Sequence, residues 1–103
     1  MSQASVSIYR TLAADRPDIF RPGLASSLNN LSNHLSSLGR REAALKAIQE
    51  SMNIGRALVA DRPDAFRPDL AMSLNNLSNH LSNLGRREEG LQMFEEAASI
   101  YRA

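Results

Sequence analysis

The sequence of 103 residues has no cysteine and no tryptophan, and its formal net charge is only +1. Without cysteine, a disulfide framework and a cysteine-based metal site are excluded, and this absence fits a reducing cytosol. A charge this close to neutral gives no electrostatic reason to expect nucleic acid or a membrane as partner. No apolar run approaches the roughly 18 residues that cross a bilayer, and the N-terminus lacks the pattern of a signal peptide. We therefore expect a cytoplasmic protein that binds neither nucleic acid nor membrane.

What the sequence does contain is an internal repeat with a period of 46 residues. Asp15-Arg16-Pro17-Asp18 returns at positions 61–64, and residues 28–36 return unchanged at 74–82. A fixed period between about 20 and 50 residues is typical of a solenoid, in which each unit buries its apolar face against its neighbours. The repeat therefore points to a binding protein rather than to an enzyme.

Each repeat contains two helical patterns. In the first, the leucines follow one another in steps of four and three residues, which places them on one face of a helix. They are Leu24, Leu28, Leu31, Leu35 and Leu38, with copies at Leu70, Leu74, Leu77, Leu81 and Leu84. Gly39 and Gly85 follow the last leucine, where a left-handed helix cap favours glycine. The second pattern begins after Arg40-Arg41 and meets no helix breaker before about Ala60, so it predicts a longer partner helix.

The boundaries of these patterns predict a single domain over residues 1–103. Residues 3–14 match the back half of a second-type helix, residues 22–60 form the first helix pair, and residues 68–103 form the second pair with its last helix cut short. The linkers at 15–22 and 61–68 each carry two prolines, which predicts a break in the helix. We expect the chain to be an excerpt from a longer array or an engineered piece of one.

Six positions of each repeat resemble the pattern of the tetratricopeptide repeat family. In the second copy they are Leu74, Leu77-Ser78, Leu81, Gly85, Gly90 and Ala97, and in the first they are Leu28, Leu31-Ser32, Leu35, Gly39, Ala44 and Ser51. The Leu-Asn-Asn-Leu run after a Pro-Asp linker is most similar to the long-repeat arrays of kinesin light chains and of bacterial and fungal signalling proteins. The resemblance implies an all-α fold, a right-handed α-solenoid of antiparallel helix pairs, and a function in protein–protein interaction. Two departures are the serines that replace glycine at positions 32 and 78, and a period longer than the family's usual length of about 34.

The same resemblance implies that the first helix of each pair lines a concave groove that binds a protein or peptide partner. A polar stripe runs beside the leucines there: Ser26, Asn29, Asn33, Ser36, Met72, Asn75, Asn79 and Ser82. An asparagine side chain both donates and accepts hydrogen bonds, so it can pair with the backbone of an extended peptide. An equally open alternative is that the asparagines are solvated or bond between repeats to fix the packing. The stripe carries no lysine or arginine, so we do not expect capture of an acidic C-terminus.

Other polar clusters favour structural interpretations. His34 and His80 lie on neighbouring helices, but no third ligand of suitable type is close, so we predict structural histidines and no metal or other cofactor. The arginines at the repeat edges alternate with acidic residues, which indicates solvated ion pairs rather than a phosphate site. These arginines are Arg16, Arg21, Arg40, Arg41, Arg62, Arg67, Arg86 and Arg87. No serine has a neighbouring His–Asp arrangement and no glycine-rich phosphate loop is present, so we expect no enzyme.

Two functions remain open from the sequence. The first is a scaffold that binds a protein or peptide in the asparagine-lined groove. The alternative is a structural repeat with no ligand, which stacks on itself because two units fall short of the roughly three that such repeats need for stability. In that case we expect a homo-oligomer formed by end-to-end stacking or by exchange of terminal helices.

Overall fold

The structure is a computed structural model, and it describes residues 2–102, with side chains from residue 4 onward. Within that range it consists of five helices joined by short connections. They are α1 (Ser2–Asp15), α2 (Pro17–Ser37), α3 (Arg41–Asp61), α4 (Pro63–Asn83) and α5 (Arg87–Arg102). Each helix packs against the next, and α2 also contacts α4. Helices joined by so few residues run antiparallel, so the prediction of an all-α helical-repeat solenoid is confirmed.

The helices are arranged in two layers. The Cα atoms span 38 × 34 × 14 Å. Two layers of helices with axes 8–10 Å apart are expected to be about 13 to 15 Å thick between Cα atoms, which matches the shortest dimension. Because α2 contacts α4, these two first-type helices form one layer. The second-type helices α1, α3 and α5 form the other.

The predicted break in the helix is present in each proline-containing linker, but it is shorter than the linker. The helix is interrupted only at Arg16 and Arg62, whose backbone angles leave the helical region (φ −134°, ψ 77° and φ −136°, ψ 79°). Pro17 and Pro63 follow at the first helical position, where a missing N–H costs nothing. The first-type helices therefore begin at 17 and 63 rather than at 22 and 68.

Pro22 lies inside α2, and its helix continues because the loss is small. A proline at this position deprives only the carbonyl of Asp18 of its helical partner. Asp18 is an exposed residue in the first turn, so water can satisfy that carbonyl. Pro68 lies in the same way inside α4, where Asp64 is exposed. Pro22 and Pro68 therefore do not mark the starts of these helices, which lie five residues earlier.

The predicted glycine caps are confirmed. Gly39 and Gly85 have φ values of 78° and 79°, in the left-handed region that glycine adopts without a side-chain clash. At the end of α2, Arg40 N–H donates to the carbonyl of Leu35 (2.9 Å) and Gly39 N–H donates to that of Ser36 (3.0 Å). This pair of bonds is the Schellman motif, and it satisfies carbonyl groups that the helix end would leave open.

The core is formed by the leucine stripes together with small residues of the second-type helices. Every leucine of the stripes is buried except Leu38 and Leu84, which stand last in each stripe. Gly90 permits a close approach of α5 to α4. A Cβ added there would lie 3.0 Å from the backbone oxygen of Ser78 and 2.9 Å from Ser82 Oγ. α5 can therefore approach α4 this closely only with glycine at position 90.

Candidate functional site

A chain of buried and half-buried polar side chains joins the two repeats, and we call it the seam. Its members are Asn29 and Ser32 on α2, Ser51 on α3, and Ser73, Asn76 and His80 on α4. Since buried polar groups are costly unless they are bonded, the partners of each atom decide what the seam does.

The hydrogen bonds of the seam follow one direction. Ser51 Oγ donates to the backbone oxygen of Ala25 (2.8 Å), so its second contact, with Ser73 Oγ (3.0 Å), must be accepted by Ser51. Ser73 Oγ in turn accepts from Asn29 Nδ2 (3.2 Å). Asn76 Nδ2 donates to Asn29 Oδ1 at 3.2 Å. The run of bonds passes through α4, α2 and α3, and so holds three helices at once.

A second branch ends on the histidine of α4. Ser32 Oγ donates to the backbone oxygen of Asn29 (2.7 Å), which leaves its lone pairs to accept from His80 Nε2 at 3.2 Å. The neutral ring therefore carries its proton on Nε2. Nδ1 is buried and has no hydrogen-bond partner among the residues that the structure describes. Burial lowers the pKa of His80 below its ordinary value of 6.5, because a charged ring would lose its hydration.

The eight residues of the predicted groove do not share one environment. Ser26, Asn33, Met72, Asn79 and Ser82 are exposed, Ser36 and Asn75 are half-buried, and Asn29 is buried. A shallow cleft between α2 and α4 brings together Ser26, Asn29 and Met72, with Pro22, Asp69 and Ser73 also in its lining. Asn29 contributes its side-chain bonds to the seam, so its contacts are those of a structural ladder.

Sequence analysis missed Ser51 and Ser73 as members of a network. Both are serines on otherwise apolar helix faces, and both are almost completely buried. A serine at a buried-face position is a signal that a polar partner lies opposite. The repeat could have supplied that signal, because Ser27 and Ser73 occupy equivalent positions. The identity of the partner still required the packing of α3 on α2.

Ion pairs follow the outside of the second-type layer and repeat with the same period. Arg10 pairs with Glu50, with 2.7 Å between Nη2 and Oε1, and Arg56 pairs with Glu96, with 2.6 Å between Nη1 and Oε2. Each of these pairs joins one second-type helix to the next. At the repeat edges, Arg86 bonds to Glu89 (2.7 Å), which lowers the pKa of that carboxyl group. Arg16 and Arg62 each lie 3.8 Å from the preceding aspartate.

Within residues 2–102, no three metal-ligating side chains of His, Asp or Glu come together. None of the helices in that range is both long enough and apolar enough to cross a membrane. The exposed and half-buried side chains of the predicted stripe are amides, hydroxyls and one thioether. Such a surface can form hydrogen bonds and apolar contacts with another chain.

Stacked helix pairs joined by a polar seam define a helical-repeat protein. The family model for the tetratricopeptide repeat matches residues 24–64 and 70–103, which together cover most of the chain. The chain therefore belongs to the tetratricopeptide repeat family. Repeats of this family form non-enzymatic scaffolds that generally mediate protein–protein interaction. Searches of the curated proteins and of the solved structures return no match to this chain.

Proposed function

We propose that the chain is a protein–protein interaction scaffold whose α2–α4 layer binds an extended segment of a partner protein. The observation that carries this proposal is the exposure of Asn33 and Asn79 at equivalent positions of the two repeats. Each side chain can donate to a backbone carbonyl and accept from a backbone N–H of a bound strand. The proposed binding surface comprises the exposed and half-buried residues of the predicted stripe: Ser26, Asn33, Ser36, Met72, Asn75, Asn79 and Ser82.

The spacing of the helices supports a concave surface on this side. Among residues 2–102, α2 and α4 have Cα atoms within 8 Å of each other, whereas no such pair joins α1 to α3 or α3 to α5. The second-type helices are instead connected through long arginine–glutamate pairs. A stack whose helices are closer on one side curves towards that side. The α2–α4 layer is then the inner face, where a strand contacts both repeats.

The absence of charge on this surface indicates the chemistry of the partner. Residues 24–38 and 70–84 contain no Asp, Glu, Lys or Arg. Recognition through neutral amides and hydroxyls depends little on salt, unlike recognition through ion pairs. We therefore propose a partner segment that is extended and uncharged where it crosses α2 and α4. Asn29 acts beneath this surface, since its bonds to Ser73 and Asn76 hold the two helices in register.

The test uses unstructured peptides selected from a random display library for binding to the intact chain. Affinity is then measured by fluorescence anisotropy for the wild type and for the double variant Asn33→Ala/Asn79→Ala. Loss of two hydrogen bonds is expected to weaken binding by about 5- to 100-fold without lowering the thermal midpoint.

The matched control is Asn53→Ala, an exposed asparagine on α3 in the other layer, which is expected to bind as the wild type does. Raising the salt from about 50 mM to about 500 mM is expected to change the affinity little. Selected peptides that bind the double variant as tightly as the wild type contradict the proposal.

A second candidate function is self-assembly of the repeat, and a different observation favours it. Leu91 and Phe94 on α5 are 56% and 52% exposed, whereas their equivalents Leu45 and Ile48 on α3 are 6% and 0% exposed. Exposed apolar residues that are adjacent on a helix indicate an interaction surface. In the structure, the equivalent surface of α3 is covered by α4, which is the first-type helix of the next repeat.

A further inference from the structure

Two surfaces of the chain contain the unmatched halves of the contact that joins its repeats. The first, which we call the α4–α5 face, consists of Asn75, Ser78, Leu91, Phe94 and Tyr101. The second, which we call the α2 edge, consists of Gly23, Asn30, His34 and Leu38. The contact between α3 and α4, together with the seam, shows how residues equivalent to both sets pack against each other.

The polar part of the match follows from the seam. Asn29 accepts from Asn76, and Ser32 accepts from His80. One period further on, the acceptors become Asn75 and Ser78; one period back, the donors become Asn30 and His34. Asn30 and His34 are exposed, whereas Asn76 is half-buried and His80 is only 5% exposed. The α2 edge therefore presents donors of the same type and spacing as those that the seam uses.

The apolar part of the match follows from the cluster between α3 and α4. Leu45 and Ile48 pack there against the first-type helix α4, with Leu84 at the border of the cluster. Their equivalents are Leu91 and Phe94 on the α4–α5 face and Leu38 on the α2 edge. Leu38 is 59% exposed, whereas Leu84 is half-buried. The two surfaces thus carry the same types of side chain as the contact between α3 and α4, but within one copy they do not pack against each other.

The last turn of α5 repeats a segment that already packs on α2. Ser7-Ile8-Tyr9-Arg10 of α1 is identical to residues 99–102, two periods away. The ring of Tyr9 lies directly against Gly23 of α2, and Arg10 pairs with Glu50 of α3. Tyr101 and Arg102 are exposed. They can make the same two contacts with the Gly23 and Glu50 of another molecule.

We propose that a second copy of this chain docks its α2 edge on the α4–α5 face of the first, and that α5 of the first copy replaces α1 of the second. This inference rests on the self-assembly candidate and specifies its surface. Exchange is required because α1 and α5 would occupy overlapping positions on α2. It is favoured because α1 places Val6, Tyr9 and Ala13 against α2, whereas α5 supplies the larger set Leu91, Phe94 and Tyr101.

The contact joins two different surfaces, so a dimer still has one α4–α5 face and one α2 edge available. Such a heterologous contact adds further copies in a row unless its rotation closes a ring. We therefore expect a series of oligomers that lengthens with concentration, rather than a single dimer.

The first test measures the mass of the intact chain by sedimentation velocity over a range of concentrations. The wild type is expected to show a weight-average mass that rises above the 11.3 kDa of one copy. Phe94→Asp places a charge in the contact and is expected to weaken association by about tenfold or more. Ile19→Asp, which changes a 60% exposed residue of α2 outside both surfaces, is expected to associate as the wild type does.

The possible outcomes distinguish the proposed docking surface from self-assembly in general. A wild type that stays monomeric at all concentrations overturns both the surface and self-assembly. Association that Phe94→Asp leaves unchanged retains self-assembly but overturns this surface. Neither result affects the peptide-binding proposal, whose variants Asn33→Ala and Asn79→Ala lie outside both surfaces.

The second test detects the exchange through a disulfide, which the cysteine-free chain makes unambiguous. A Cβ on Gly55 would lie 3.6 Å from Cβ of Leu70, within the range of about 3.5 to 4.5 Å that a disulfide needs. The equivalent pair across two copies is Tyr101 and Leu24. Within the described part of one copy, α2 and α5 do not contact each other, so a disulfide between these positions must join two molecules.

The variant Leu24→Cys/Tyr101→Cys is therefore expected to form a ladder of covalent oligomers on oxidation. The control Leu24→Cys/Arg102→Cys keeps the first cysteine and moves the second by one residue, which turns it about 100° around the helix. It is expected to cross-link far less. Equal cross-linking of the two variants, or none in the first, overturns the exchange. Circular dichroism verifies that both variants keep the helical content of the wild type.

Discussion

The helices α2 and α4 contain the same sequence over residues 27–36 and 73–82, yet the structure uses that sequence differently. Asn29 is buried in the seam, whereas Asn75 is half-buried and has no hydrogen bond of this kind among the described residues. The histidines differ in the opposite direction, since His34 is exposed and His80 is buried. α2 contacts the other repeat through the side that carries Asn29, whereas α4 contacts it through the side that carries His80. The comparison teaches that neighbours, rather than local sequence, assign the role of each residue.

The largest difference in the free energy of unfolding is expected between the apolar faces of α3 and α5. Ile48→Ala removes a side chain that is 0% exposed, and we expect it to lower the free energy of unfolding by about 2–5 kcal/mol, through lost burial and a cavity. Phe94→Ala changes the equivalent residue on α5, and we expect less than about 1 kcal/mol because that side chain is half exposed. Urea unfolding at low protein concentration measures both effects without a contribution from association.

Similar losses in these two variants would contradict the comparison. They would mean that Phe94 is as well packed as Ile48 under the conditions of the measurement. Repeating the unfolding at high protein concentration sharpens the result. If α5 packs against a second copy, Phe94→Ala becomes more destabilising as the concentration rises, whereas the loss from Ile48→Ala stays large throughout.

The next test compares the two asparagines. Asn29→Ala removes an acceptor from Asn76 and a donor to Ser73, and it leaves polar groups unpaired between the repeats. We expect it to reduce the free energy of unfolding by about 1–3 kcal/mol. Asn75→Ala has the same effect on helix propensity, so it serves as the matched control, and we expect a change within about 0.5 kcal/mol. Equal losses would show that the seam contributes nothing specific.

Much of the fold could be predicted from the sequence because it depends on local chemistry repeated at a fixed period. The leucine steps predicted the buried stripes, and Gly39 and Gly85 predicted the caps. The predicted break lies in each linker, but the first-type helices begin five residues before the predicted starts at 22 and 68. The cost of a proline inside a helix depends on whether water reaches the carbonyl that it leaves open.

The candidate site was less predictable, and Asn29 shows why. Helical spacing places it on the same stripe as Asn33, since the residues are four apart. Sequence spacing predicts which face of the helix a residue occupies, but it does not predict how close the next helix comes to that residue. Asn29 lies beneath α4 and Asn33 does not. Only the packing of one repeat on the other distinguishes them.

The smallest effect is expected from His80, since its ring is neutral at neutral pH and the change appears only on acidification. Burial lowers the pKa of His80 in the folded chain below the 6.5 of an unhindered histidine. Between these two pKa values the unfolded chain binds more protons than the folded chain, so the free energy of unfolding falls as the pH falls. The loss begins near pH 6.5 and is complete below the folded pKa. Protonation would also place an N–H on Nδ1, which has no acceptor among the described residues.

Urea unfolding at about pH 7.5 and about pH 5.5 measures this effect against the background of the other titrating groups. The wild type is expected to lose more stability between the two values than His80→Gln, which cannot take up the proton. His34→Gln changes the equivalent but exposed residue, and we expect it to keep the pH dependence of the wild type. If His34→Gln removed the dependence instead, or if all three chains lost stability equally, the buried position of His80 in the seam would have no energetic consequence. A dependence confined to His80 would show that the packing of one repeat on the other decides how this position contributes to stability.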